Sequence, residues 1–234
     1  MVIAMPQKSN YAAVLILTGG LALQPVSATE ADGIDYLTGD PKLACEAILC
    51  LSSIYRPGEC TPSLSRYFSI RDRRPSRTIR KRKNFLQLCP KDDSANAVTW
   101  NSLIDVIAQS AETCTADGLN SYLASYRYDE DGHQTWVYRS DQLPGFCTQY
   151  WNHEWTYFEK QHLPVYIGDV NLKGFWAEPS EKEKAQDRYD RWLVQYREYQ
   201  RRLSRYYDCI NSSSDSGSSN CRRPVLTWKD PISE

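Results

Sequence analysis

Nowhere in this 234-residue chain do apolar residues run on for the roughly twenty positions that a helix needs to cross a bilayer. The longest such stretch, Ala12 to Leu23, is already interrupted by Thr18-Gly19-Gly20. No two cysteines stand at C-x-x-C spacing, and the three histidines, His133, His153 and His162, fall into no structural-zinc pattern. A G-x-S-x-G nucleophile elbow and a glycine-rich phosphate loop are both missing. His153-Glu154 begins like a zincin helix, but Tyr157 stands where the second histidine is required. These gaps argue against a polytopic membrane protein, a zinc module, a serine hydrolase and a P-loop enzyme.

Charge of one sign is also lacking. Lys+Arg number 28 against 29 Asp+Glu, a formal net charge of -1, so global charge gives no reason to expect nucleic-acid binding. Lys8 is the one charged residue of Met1–Ala28, and Val26-Ser27-Ala28 is a small-residue pattern of the A-x-A kind. Residues 1–28 are therefore expected to be a cleavable secretory signal peptide, with an uncleaved anchor as the alternative. No cysteine sits at the cleavage point to take a lipid. Removing 28 of 234 residues leaves 206, with a net charge of -2 and room for one domain with a sizeable core.

What the chain does have is cysteine. Cys45, Cys50, Cys60, Cys89, Cys114, Cys147, Cys209 and Cys221 all follow the signal segment. An even count in an exported chain reads as disulfides, and eight cysteines allow about 105 connectivities. Cys45 and Cys50, five apart on one helix, sit about 8 Å apart, too far to bridge each other. Each is expected to reach a different element. Cys209 and Cys221 flank the Ser/Gly-rich run 211–220, and a bridge across so short a loop is the most readily closed pairing.

Gly39 to Ile70 carries three of these cysteines: GDPKLACEAILCLSS, then RPGEC, then PSLSRYFSI. This block resembles the core of the TrbM/KikA/MpfK conjugal transfer proteins, and weaker similarity continues toward Trp176. The resemblance implies a part in plasmid conjugation, in mating-pair formation or type IV secretion. It carries over no site residue.

Local patterning predicts a mainly α fold: a disulfide-stabilised helical domain with at most one small β-hairpin and a long C-terminal amphipathic helix. Asp40-Pro41 reads as a helix start, Thr61-Pro62 as a second. Asp93 or Ser94 is expected to cap a third running to about Cys114 and ended by Asp117-Gly118. Aromatic and polar residues alternate from Tyr122 to Tyr138 around Asp131-Gly132, a hairpin pattern, and Cys147 opens a helix expected to reach Phe158. Between about 181 and 210, Ala185, Tyr189, Trp192, Tyr196, Tyr199, Leu203, Tyr206 and Ile210 repeat at alternating steps of four and three, a heptad seam. The expected division is a signal peptide at 1–28, a helical domain at 29–210, and a serine-rich, disulfide-closed loop with its tail at 211–234.

Three surfaces are candidates for contact. Nine basic residues against one acid fall between Arg66 and Lys83, and the patch proper is Arg71, Arg73, Arg74, Arg77, Arg80, Lys81, Arg82 and Lys83. A run of this kind is a solvated helix and loop, or a dock for an acidic partner, an anionic membrane or nucleic acid. Trp151 to Trp176 is rich in aromatics, which either pack a core or form a protein-binding surface. The aromatic seam of the last helix either packs on its own domain or supports self-association. Glu46 is the one residue that invites a general-acid role, without a nameable partner.

The expected function is thus a non-enzymatic periplasmic accessory of conjugation, acting through protein contacts, with no cofactor, no metal and no small-molecule substrate. Alternatives are a peptidoglycan-cleaving hydrolase that assists channel assembly, and a secreted toxin-like protein or a factor that blocks incoming transfer into its own host.

Overall fold

In a computed structural model, the residues described are 37–91, 96–128, 134–212, 221–225 and 230–232; residues 1–28, expected to be a signal peptide, and Asp93, Ser94, Asp131 and Gly132 lie outside them. Leu37–Glu234 forms one compact unit. Its helices are α1 (Gly39–Leu51), α2 (Thr61–Ser69), α3 (Pro75–Leu86), α4 (Ala97–Ser110), α5 (Ala116–Tyr122), α6 (Gly145–Trp151) and α7 (Lys182–Ser212). Two small antiparallel sheets pair β1 (Ala124–Tyr128) with β2 (Gln134–Arg139), and β3 (Val165–Ile167) with β4 (Phe175–Ala177). The chain is mainly α, as its periodicity predicts.

Pro62 and Pro75 sit in the first turns of α2 and α3, where a missing N–H costs nothing. Asn96 caps α4, its side-chain oxygen accepting from the N–H groups of Val98 and Thr99. Asp40 is no cap: it lies in the first turn of α1 and holds Arg66 through two hydrogen bonds of 3.0 and 2.7 Å. Asp117-Gly118 does not end α4 either. The pair lies inside α5, whose first N–H groups are met by Thr115 and by the carboxylate of Glu178. A side chain at Gly118 would strike the carbonyl oxygens of Glu112 and Thr113, so this glycine permits a close helix–turn approach.

The main core gathers Ala44, Ile48 and Leu51 of α1, Tyr67 of α2, Phe85 and Leu86 of α3, the inner face of α4, Leu119, Tyr150 and Trp176. Two buried tyrosine hydroxyls tie it together, Tyr67 donating to the carbonyl of Ile107 and Tyr150 to that of Leu51. Leu49, on the outer side of α1, is 73% exposed. A second cluster packs Ala185, Tyr189 and Trp192 of α7 on Ile167, Phe175 and Ala177.

β3 and β4 exceed the single hairpin expected from sequence. Each is three residues long, too short for alternation to register, and both are held by contacts with α7 and α5. α6 stops at Trp151 rather than Phe158, since the chain turns there and Thr156 folds back to bond the carbonyls of Tyr150 and His153.

Candidate interaction surfaces

Four disulfides fix the frame on which every exposed side chain stands. Cys45–Cys89 ties α1 to the chain just beyond α3, Cys50–Cys60 ties the end of α1 to the start of α2, and Cys114–Cys147 ties the turn before α5 to α6. Cys209–Cys221 closes the serine-rich loop at the end of α7. No cysteine is free. Cys45 and Cys50 reach different elements because five helical residues place them apart along the axis.

α3 divides the basic run. Arg82 is 3% exposed, its guanidinium 2.5 Å from the Glu112 carboxylate and 5.0 Å from the Tyr67 ring centroid, with Nε donating to the carbonyl of Ile70. It belongs to the core. Arg71 pairs with Glu112 at 3.1 Å, Lys81 with Asp72 at 2.9 Å and Lys83 with Asp105 at 2.5 Å. Lys81, and after it the backbone N–H of Arg74, hold the Asp72 carboxyl below the usual carboxylate range. Arg73, Arg74, Arg77 and Arg80 are exposed and have no carboxylate within ion-pair reach among the described residues.

The aromatic segment divides as well. Trp151, Phe175 and Trp176 are buried, and Tyr166 is half-buried with its hydroxyl on the carbonyl of Arg139. Trp155 and Tyr157 stay exposed. Tyr157 donates its backbone N–H to the carbonyl of Ser52 at 2.7 Å, which brings its loop beside the α1–α2 connection. There Tyr55, also exposed, stacks on Tyr157 with ring centroids 6.4 Å apart and planes 20° apart, and its edge meets His162. The Tyr157 hydroxyl donates to Glu159 at 2.6 Å, which raises the phenol above its ordinary value and lowers the carboxyl.

Beside these rings opens a cleft of about 290 Å³, lined by Arg56, Tyr150, Trp151, Phe158, His162 and Glu178 among others. Burial pushes the Tyr150 phenol up, opposed by the nearby Arg56 cation. Sequence reasoning missed Tyr55 and Arg56. A tyrosine and an arginine in a loop after α1 carry no local signal, and only the pairing with the 157 loop gives them neighbours.

Glu46 lies on the face of α1, 3.7 Å from Lys42 one turn earlier, an ordinary helical ion pair. Among the described residues, no group of three or more His, Cys, Asp or Glu side chains is placed to hold a metal. No helix among them is long and apolar enough to cross a membrane. The heptad seam of α7 splits in two: Ala185, Tyr189 and Trp192 are buried, whereas Tyr196, Tyr199, Leu203 and Tyr206 are only half-covered and Ile210 is exposed. Pro224 and Val225, beyond the Cys209–Cys221 bridge, line a groove with Val194, Glu198, Tyr199 and Arg202, so the returning tail lies beside this part of the helix.

In comparison with known proteins, the family model described as TrbM matches residues 36–190. No curated protein matches the chain, and no solved structure matches it.

Proposed function

Since the chain belongs to the TrbM family and is thereby a conjugation-related protein, we propose that it is an exported, non-enzymatic accessory of plasmid transfer that works in the periplasm by binding protein components of the transfer apparatus. The observation that carries this reading is the Tyr55–Tyr157 stack: exposed rings beside a cleft, in loops that follow helices tied by disulfides. Exposed aromatics on a rigid support are the usual energetic centres of protein interfaces, because they bury large areas while losing little side-chain entropy. Disulfides persist in oxidising compartments, which agrees with export. Trp155, two positions before Tyr157 in the same loop, is exposed as well. The arginine end of α3 is a second contact surface in this reading, and the distal half of α7 a third, open to a partner or to a second copy of the chain.

Glu46 supports no hydrolytic reading, since its carboxylate faces Lys42 on a helix surface rather than a second carboxylate across a cleft. The decisive experiment is complementation of a deletion in a mating assay. Tyr55→Ala/Tyr157→Ala, exported and oxidised at wild-type level, is expected to lower transfer frequency at least tenfold, about the consequence of losing 1.4 kcal/mol of contact. Wild-type transfer by that variant overturns the aromatic surface. Clearing of purified cell wall that disappears in Glu46→Gln overturns the non-enzymatic reading.

A further inference from the structure

We propose that Arg73, Arg74, Arg77 and Arg80, at the start of α3, dock this protein on an anionic phospholipid surface. The inference rests on the reading of this patch as a contact surface and names its partner.

The other cations of the run have individual seats. Arg66 is clamped by Asp40 and lies over the Phe85 ring, and Arg82 is sandwiched between Glu112 and two rings. Lys81 and Lys83 each have their own carboxylate. The four arginines have no such seat: they are exposed and, among the described residues, lie over no ring and form no ion pair; Asp72, whose carboxyl Arg77 helps to lower, is held by Lys81. They also stand where the fold least favours them. Arg73 and Arg74 precede the first turn of α3 and Arg77 lies in it, at the helix end to which the aligned peptide dipoles give positive potential. Four like charges and a helix N-terminus, against the one carboxylate of Asp72 that Lys81 already holds, leave an excess positive field that an external anion relieves.

The surroundings distinguish a lipid from an acidic protein. Specific protein interfaces are centred on exposed aromatic or aliphatic anchors. Between Tyr55 and Leu88 no large apolar side chain is exposed, so the patch offers charge without an anchor. A phospholipid surface needs no shaped anchor: its phosphates are dense and mobile, and affinity grows with the number of cations brought to it. Arginine suits phosphate, its planar fork accommodating two oxygens at once. At a formal net charge of -1 the chain as a whole is not drawn to an anionic surface, so attraction concentrated here would also orient it.

The test is co-sedimentation of the oxidised, exported chain with vesicles of phosphatidylcholine alone or with about a third phosphatidylglycerol, at ionic strength near 0.1 M. Binding is expected only to the anionic vesicles, and is expected to fall several hundredfold when all four arginines become glutamine, about fivefold for each. A control that replaces Arg197, Arg201, Arg202 and Arg205 of α7 by glutamine has the same net charge and is expected to bind as wild type. Arg77→Glu alone serves if the fourfold variant does not fold. Equal binding to neutral vesicles, no binding to anionic ones, or unchanged binding by the patch variants overturns the inference. So does loss of transfer in the patch variants without any vesicle binding by the wild type, which leaves the patch a contact surface for an acidic protein.

Discussion

Asn120 and Trp176 exchange two hydrogen bonds: the Asn120 amide donates to the carbonyl of Trp176 at 2.7 Å and accepts its N–H at 2.8 Å. One side chain on α5 thus takes the place of a neighbouring strand along β4. Trp176 belongs to the helical core and its neighbours Phe175 and Ala177 to the α7 cluster, so this exchange ties the two together. Asn120→Ala leaves both backbone groups without their partner and is expected to cost about 1–3 kcal/mol. Urea unfolding measures the change.

Gly168 has φ of +84°, and a Cβ placed there would lie 2.2 Å from the Tyr189 ring. Gly168→Ala is expected to destabilise by about 2–4 kcal/mol, combining left-handed backbone strain with overpacking. Because Tyr189 also accepts the Asp169 N–H through its hydroxyl, displacement of the ring loosens the α7 end first. The near-ultraviolet signal of Trp192, stacked on Tyr189, is the readout.

Glu112 and Arg82 form an asymmetric pair. Arg82 is buried, while Glu112 is half in water. Glu112→Ala strands a buried guanidinium and is expected to cost about 3–5 kcal/mol, whereas Arg82→Met leaves a carboxylate that water and Arg71 still serve and is expected to cost clearly less. Arg77→Gln, which removes an exposed cation that forms no ion pair among the described residues, is expected to stay within about 0.5 kcal/mol of wild type. Thermal melts of the three variants give the order.

The disulfides differ in the loops they close. Cys45–Cys89 spans 44 positions and Cys209–Cys221 spans 12. By loop entropy, replacing the first pair with serine costs about 4 kcal/mol and the second about 3. The first is expected to lower the global urea midpoint, the second chiefly to raise hydrogen exchange near the end of α7.

Acid sensitivity follows from Asp40 and Asp72. Arg66 and Lys81, respectively, hold their carboxyls below the usual carboxylate range. A carboxyl whose value is lower folded than unfolded contributes stability above the unfolded value, about 3.8, and loses it as pH falls through the folded value. Stability is therefore expected to decline below about pH 4, and Asp40→Asn to decline less steeply over that range. Denaturant midpoints measured from pH 6 down to pH 2 test this.

Period and punctuation made much of the helical architecture legible. The alternating four-and-three steps from Ala185 to Ile210 locate α7, and Thr61-Pro62 locates α2, because such patterns report contacts a few residues apart. α5 escaped notice because Asp117-Gly118 has the composition of a helix stop. Its helical state depends on Thr115 and on Glu178, a carboxylate 62 positions away from Ala116 in the chain. The candidate surfaces were legible only as regions. Nothing in the order Arg80-Lys81-Arg82-Lys83 tells that Arg82 is in the core while Arg80 faces water; the turn of α3 against α4 decides it.

Composition and order alone determined that this chain would be helical, that its cysteines suit oxidation, and that a run of arginines would gather on one short segment. Those properties arise from backbone periodicity, side-chain chemistry and counting, which act within a few residues. The tertiary structure decided which cysteine meets which, which aromatic rings are core and which remain outside, and how Tyr55 comes to stack on Tyr157. Each of these is a contact between distant parts of the chain, fixed only when burial of the common core selects one arrangement among many that local preferences permit equally.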